Sequence, residues 1–240
     1  MAPPFPDPSA VHLFSGALSL FDAQGEAEPN LPGRLRALRS ERALRSLLSR
    51  YTGLAPEKVP LEKNRWGKPL LPDSFSLWFN LSHSENRWIA AVAAFPVGID
   101  LEAHLPRKDP LRFARRFFSP EEAAIVGAAP PEERTAALLR IWTKKEAFLK
   151  GCGMGLHRPL RSFWFVRPGR RSPWELVAPP EPSAPPWYVR GWREEDRFFC
   201  ALAVAHRQPD RLLLAREELF PQAKSQPAGN NPPLSIDGLS

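Results

Sequence analysis

The sequence predicts an α+β protein; two observations carry that expectation, and a third agrees with two similar lobes without carrying the fold. Short segments of alternating or continuous apolar residues, the pattern of strands, are interleaved with segments of 3.6-residue periodicity, the pattern of amphipathic helices. Proline- and glycine-rich stretches separate them, as connections do. Finally, Asn86-Arg87-Trp88-Ile89-Ala90-Ala91-Val92-Ala93 is echoed by Asp196-Arg197-Phe198-Phe199-Cys200-Ala201-Leu202-Ala203, each late in its half and after a helix. Two like lobes would explain the echo and would leave a cleft between them, a common place for a ligand.

Residues 1–10 are proline-rich and are expected to be extended or loose. Residues 11–18 alternate as a first strand. Residues 34–51 form an amphipathic helix, with Leu35, Leu38, Leu44, Leu47, Leu48 and Tyr51 near one face. Its opposite face carries Arg34, Arg36, Arg39, Arg42, Arg45 and Arg50; Pro32 and Gly33 break the chain before it and Gly53 follows it. Residues 78–82 and 88–93 read as neighbouring strands joined by a short Ser/Glu/Asn turn, and 97–101 as another strand. In the second half, 110–118 is a basic, apolar helix. Ser119-Pro120-Glu121-Glu122 is a helix start, with a serine cap, proline at the first position and acids in the first turn. A long helix follows over 132–150, ended by Gly151, Gly153 and Gly155. Strands are expected near 162–166, 174–177, 187–192 and 198–204, then one helical turn near 211–219. The Pro-, Ser-, Asn- and Gly-rich end is expected to be disordered. The expected division is a flexible start (1–10), an N-terminal lobe (11–102), a C-terminal lobe (103–219) and a tail (220–240).

The chain's 240 residues suffice for one large domain or for two small lobes with cores of their own. No apolar run approaches a membrane span, and the start lacks the features of a secretory signal. Two cysteines, Cys152 and Cys200, exclude a disulfide framework and a cysteine-rich zinc site and fit a reduced, cytoplasmic setting. The net charge of +7 suits a polyanionic partner: nucleic acid, a phosphorylated cofactor or an acidic protein. Composition does not choose among them.

Two stretches carry chemistry. In Val97-Gly98-Ile99-Asp100-Leu101-Glu102 a strand would point Asp100 and Glu102 the same way. In Trp142-Thr143-Lys144-Lys145-Glu146-Ala147-Phe148-Leu149-Lys150-Gly151 a helix would put Glu146 and Lys150 on one face. Alone, the first is most often a solvated strand end and the second a surface ion pair. If they meet, three carboxylates and one ammonium converge, a donor set suited to Mg²⁺ with phosphate beside it.

Together with Phe79-Asn80-Leu81-Ser82-His83-Ser84 and Gly67-Lys68-Pro69, these stretches resemble the 4'-phosphopantetheinyl transferase superfamily in its longer, two-lobed Sfp-type form. The resemblance runs from about residue 11 to about 219. It implies two α/β lobes in a pseudo-twofold arrangement, and coenzyme A as donor of a phosphopantetheine arm to a serine of an apo acyl or peptidyl carrier protein. Adenosine 3',5'-bisphosphate leaves. It further implies Asp100, Glu102 and Glu146 as ligands of Mg²⁺, or of Mn²⁺ in its place. Glu146 and Lys150 are implied as catalytic residues, with Glu102 an alternative base. Arg36, Arg42, Lys68, Ser82, His83, Asp100 and Lys150 are implied as coenzyme A contacts, with Arg45 an alternative to the arginines. Lysines that bind the 3'-phosphate in the type member have no counterpart in the acidic, lysine-free stretch 18–32. Trp142 reads as core packing. Phe117, Phe118 and the 119–122 helix start fall where the family meets its carrier, with Arg112, Arg115 and Arg116 as steering charges toward an acidic partner. The resemblance implies a monomer acting away from nucleic acid and membrane. Alternative readings are a nucleic-acid-binding module, suggested by the arginine helix and eight tryptophans, a catalytically silent carrier-protein binder, and a metal-dependent phosphate-ester hydrolase. Ser82-His83 is not a hydrolase dyad, since no Gly-x-Ser-x-Gly elbow is present. The sequence does not say whether the carrier serves fatty-acid, polyketide or peptide synthesis.

Overall fold

The computed structural model describes residues 7–18, 33–154, 158–169, 172–179 and 185–218. The expectations for residues 1–6 and 19–32 and for the tail lie outside the described residues, as does that for the side chain of Arg36.

The strand Arg87–Ala93 (β5) is buried along nearly its whole length, as a continuous apolar run should be at the centre of a covered sheet. It pairs antiparallel with Ala10–Ala17 (β1) on one side and Trp78–Ser84 (β4) on the other. Parallel to β1 lies Leu213–Glu218 (β11), so the first sheet runs β11-β1-β5-β4. The second sheet runs β6-β10-β9-β8-β7, from Val97–Ala103 (β6) through Phe198–Ala205 (β10), Trp187–Glu194 (β9) and Glu175–Ala178 (β8) to Trp164–Val166 (β7). A small hairpin, Glu62–Lys63 (β2) with Pro69–Leu70 (β3), stands apart. The echoed segments are the second strands of two hairpins, β4–β5 and β9–β10. Their turns place Glu85, Glu195 and Asp196 at positive φ.

The layers follow from which side chains each strand turns to which face. Phe14, Trp88, Ala90 and Val92 meet Leu44, Leu47 and Leu48 of helix Gly33–Thr52 (α1). The opposite face, with Val11, Leu13, Ile89 and Ala91, packs on Ile99, Leu101, Phe198 and Leu202 of the second sheet. Beyond that sheet, Ala201 and Ala203 are small enough to admit helix Arg134–Cys152 (α4), whose Leu138, Ile141 and Phe148 complete the core. Helices Pro110–Phe117 (α2) and Pro120–Ala128 (α3) flank α4. Ser119 accepts from the Glu122 N–H while Glu122 accepts from the Ser119 N–H, a capping box on the helix start read from the sequence. No described helix is long and apolar enough to cross a membrane.

Several expectations are corrected. Residues 213–218 are a strand and not a helical turn, because the free edge of β1 gives their backbone a ladder that an isolated turn lacks. The strand β6, expected to end the first lobe, hydrogen-bonds to β10, and β11 returns from the second half to β1. On α1, Leu35 and Leu38 are each 47% exposed while Arg39 is buried; the buried face is set from Ala43 onward by contact with the first sheet. Gly151 lies inside α4. The helix ends at Gly153, which takes φ 71° and donates its N–H to the carbonyls of Leu149 and Lys150.

Candidate functional site

The site forms where α4 crosses β6. A Cβ on Gly98 would stand 2.0 Å from the Ala147 carbonyl oxygen and 2.3 Å from the Gly151 nitrogen. The two backbones therefore touch, which only glycine permits. Gly151 in turn receives the Trp187 ring, where an added Cβ would stand 2.6 Å from it. This contact brings Glu146 and Lys150 down onto the face of β6 that carries Asp100 and Glu102.

The strand β6 is held from its other side by a ladder of side chains. Asn80, Ser82 and Ser84 alternate along β4, so they share one face. The N–H groups of Ile99, Leu101 and Ala103 donate to Asn80 Oδ1 (2.8 Å), Ser82 Oγ (3.3 Å) and Ser84 Oγ (2.9 Å). Three polar side chains thus replace a missing neighbour strand and fix the register of β6 against the first sheet.

Asp100 is buried. Its Oδ1 accepts from Lys150 Nζ at 2.5 Å and from Ser82 Oγ at 2.9 Å. Lys150 also donates to Ser82 Oγ at 2.8 Å. The Ser82 hydroxyl thereby uses its one proton and both lone pairs on Asp100, Lys150 and the Leu101 N–H. Glu102 Oε1 accepts from the Trp142 indole N–H at 2.8 Å, and Arg107 stands 3.8 Å from Oε2. Burial pushes the Glu102 carboxyl up, and Asp100 adds to this. Glu146 is pushed up to about 7, chiefly by burial and then by the charge of Asp100, against the pull of Lys150. The three expected carboxylates and the lysine are therefore neighbours.

Two carboxylate oxygens here, Asp100 Oδ2 and Glu146 Oε1, are buried without a hydrogen-bond partner. A cation placed between these two packed elements would give both oxygens a partner. Hard carboxylate oxygens suit Mg²⁺ or Mn²⁺. Among the described residues no three acidic, histidine or cysteine side chains are gathered as an ion-holding cluster. Asp100 and Glu102 each spend one oxygen on Lys150 or Trp142.

The remaining expected contacts lie on β4, on α1 and on the β2–β3 hairpin. His83 is half-buried and lines a groove of about 430 Å³ between α1 and the β2–β3 hairpin, with Arg45, Lys63 and Gly67. Arg42 is exposed on α1. Arg45 bonds Glu41 and the Val59 carbonyl, a role in holding α1 to the following loop. Lys68 turns from the groove and donates to the Gly151 carbonyl at 2.8 Å, at the end of α4. Burial lowers its ammonium to about 8. Beside it, Asn64 donates to the Gly153 carbonyl, so the β2–β3 hairpin caps the helix that carries Glu146.

Residues the sequence did not single out complete the arrangement. Lys145, next to Glu146 and wholly buried, donates to the carbonyls of Leu160 and Phe163 (2.7 Å each) and pairs with Glu122 at 2.8 Å. Of the aromatics expected at the carrier face, Phe117 is 38% exposed but Phe118 is buried. Arg112, Arg115 and Arg116 are exposed, and Arg115 borders a groove of about 640 Å³ between α2 and α3. The alternation Asn-x-Ser-x-Ser in an otherwise apolar strand was the one available signal for the ladder.

Comparison with known proteins gives the family that the chain resembles. The profile of the 4'-phosphopantetheinyl transferase superfamily matches residues 96–203. The chain is 36% identical over 170 residues to the 4'-phosphopantetheinyl transferase HetI of Nostoc sp., covering 68% of this chain and 67% of that one. It is 33% identical over 188 residues to the 4'-phosphopantetheinyl transferase Sfp of Bacillus subtilis, covering 77% and 81%. The crystal structure of the Thermotoga maritima holo-[acyl-carrier-protein] synthase is more distant, with a TM-score of 0.37 and 21% identity over 47% of this chain and 64% of that one.

Proposed function

The chain belongs to the 4'-phosphopantetheinyl transferase superfamily, and from that premise we propose that it transfers the phosphopantetheine arm of coenzyme A to a serine of an apo carrier protein, dependent on Mg²⁺. The observation that carries the site assignment is the pair of unpartnered buried oxygens, Asp100 Oδ2 and Glu146 Oε1, beside Lys150. Asp100, Glu102 and Glu146 would hold the ion. When bound, it supplies charge neutralisation for the pyrophosphate.

The carrier serine Oγ attacks the phosphorus bearing the pantetheine arm. A new P–O bond forms, the bridging pyrophosphate P–O bond breaks, and adenosine 3',5'-bisphosphate departs. Glu146 takes the serine proton. Lys150, on a short tether to Asp100, moves its charge onto the leaving phosphate. His83, Arg42 and Arg36 meet the cofactor, His83 from the groove between α1 and the hairpin, and Lys68 supports the end of α4. The α2–α3 face, with Arg112, Arg115, Arg116 and exposed Phe117, receives an acidic carrier. One chain supplies both sheets that flank the site, which favours a monomer. Free Cys152 and Cys200 fit a cytoplasmic setting.

The test is mass spectrometry of purified apo carrier proteins after incubation with coenzyme A and Mg²⁺. The expected result is a gain of one phosphopantetheine on the carrier and release of the nucleotide bisphosphate. Hydrolysis of coenzyme A without transfer would refute the assignment.

A further inference from the structure

The structure assigns Trp142 as a positioning residue that orients Glu102 for cation binding. This rests on the metal reading above and goes beyond the role of core packing. An indole N–H is a donor with no acceptor capacity, and this one, half-buried, is spent on Glu102 Oε1 at 2.8 Å. A second neighbour, Arg107, stands 3.8 Å from Oε2 and is 40% exposed, a long and solvent-screened contact. The indole supplies the close, directional contact.

The ring's own orientation is imposed from outside the site. Phe113 of α2 meets it edge-on at 5.4 Å between centroids. It also packs against the small cluster of Ala136, Leu139 and Phe199. Phe199 is the register partner of Glu102 across β6 and β10. The strand pair that places the Glu102 backbone thus also packs the ring that aims its carboxylate. With Oε1 fixed, the side chain keeps one rotamer and Oε2 remains for a cation. Residues that orient a metal ligand in this way typically change metal affinity about 10- to 100-fold when lost.

The experiment measures binding of Mn²⁺, read as loss of the free-ion electron paramagnetic resonance signal, by the full-length wild type and by Trp142→Phe. Phenylalanine keeps an aromatic ring against Phe113 and removes the N–H. The Mn²⁺ dissociation constant is expected to rise about tenfold with little change in melting temperature. In a Glu102→Ala background the same substitution should add nothing, because the effect runs through Glu102. Turnover should fall more than the Michaelis constant for coenzyme A rises. Should Trp142→Phe fail to fold, β-(3-benzothienyl)alanine incorporated at position 142 keeps the bicyclic shape without the donor. Unchanged Mn²⁺ affinity in either folded variant, or an additive loss in the double variant, overturns the assignment while leaving the metal reading intact. Absence of Mn²⁺ binding by the wild type overturns the metal reading, and the assignment with it.

Discussion

Gly98→Ala is the sharpest test of how the site is assembled. The added methyl would sit 2.0 Å from the Ala147 carbonyl oxygen, 2.3 Å from the Gly151 nitrogen and 2.6 Å from the Gly151 Cα. All three are backbone atoms of α4, so no side chain can turn aside. Restoring an ordinary 3.4 Å contact from 2.0 Å requires α4 and β6 to part by about 1.4 Å. Overpacking of this kind costs roughly 1–3 kcal/mol, and more where backbone must move. Removing a glycine from a strand returns about 0.5–1 kcal/mol. The net loss should therefore be about 2 kcal/mol, which for a chain of this size lowers the melting temperature by roughly 4–8 °C. Function should suffer more than stability. A misplacement of about 1 Å costs on the order of 100-fold in rate, and here Glu146 and Lys150 would move together away from Asp100. Thermal unfolding and a steady-state transfer assay with coenzyme A and an apo carrier read the two effects. A Gly98→Ala protein that melts within a degree or so of wild type and turns over at near-normal rate would refute the close backbone contact as the device that builds the site.

Glu146→Gln should nearly abolish transfer while the protein stays folded, as measured by turnover beside circular dichroism. The same variant tests the proton affinity of this carboxyl. Because its folded value of about 7 lies above the ordinary 4.5, the metal-free folded protein binds more protons than the unfolded chain between those values. Its stability should fall as pH rises through that window, by at most on the order of 2–3 kcal/mol. Denaturant titrations across pH 5–8 should show a flatter profile in Glu146→Gln than in wild type. Lys145→Met would leave buried Glu122 and two carbonyl oxygens without their ammonium, costing about 3–5 kcal/mol of unfolding free energy. Ser84→Ala removes the acceptor of the Ala103 N–H and should cost about 1–3 kcal/mol; an unchanged unfolding midpoint would show that water replaces the hydroxyl. Charge reversal at Arg112, Arg115 and Arg116 should slow carrier modification at low salt and leave coenzyme A affinity unchanged, measured by kinetics and calorimetry.

The parts of the site readable in the sequence were those whose spacing alone fixes direction. Alternation placed Asp100 and Glu102 on one side of a strand, and a helical turn placed Glu146 and Lys150 on one face. The contacts that finish the site are long-range, and neither periodicity reports them. Trp142 looked apolar because its N–H finds an acceptor 40 residues away. Lys145 sits in a charged run, yet it is the neighbour that the helix turns inward. Gly151 read as a stop signal because a glycine after a helix usually is one, whereas here its missing side chain admits both β6 and Trp187. The fold failed to show through for a related reason at 213–218, where short local pattern could not reveal a partner strand some 200 residues earlier. Leu35 and Leu38 had the spacing of a buried face, but burial depends on what lies opposite, and the apolar residues of α1 that join the core begin at Ala43.

The pairing of β11 with β1 has a consequence for how the chain comes off the ribosome. β1 emerges early and finds β5 within the next eighty or so residues, but its other edge stays open until residue 218 has been made. Throughout that interval an apolar strand presents unpaired amide and carbonyl groups, a template for the wrong neighbour. The nascent first half should therefore need either a chaperone or fast elongation to stay productive. Ending translation short of position 213 should yield a protein that precipitates, even though every residue of the acidic centre has already been made.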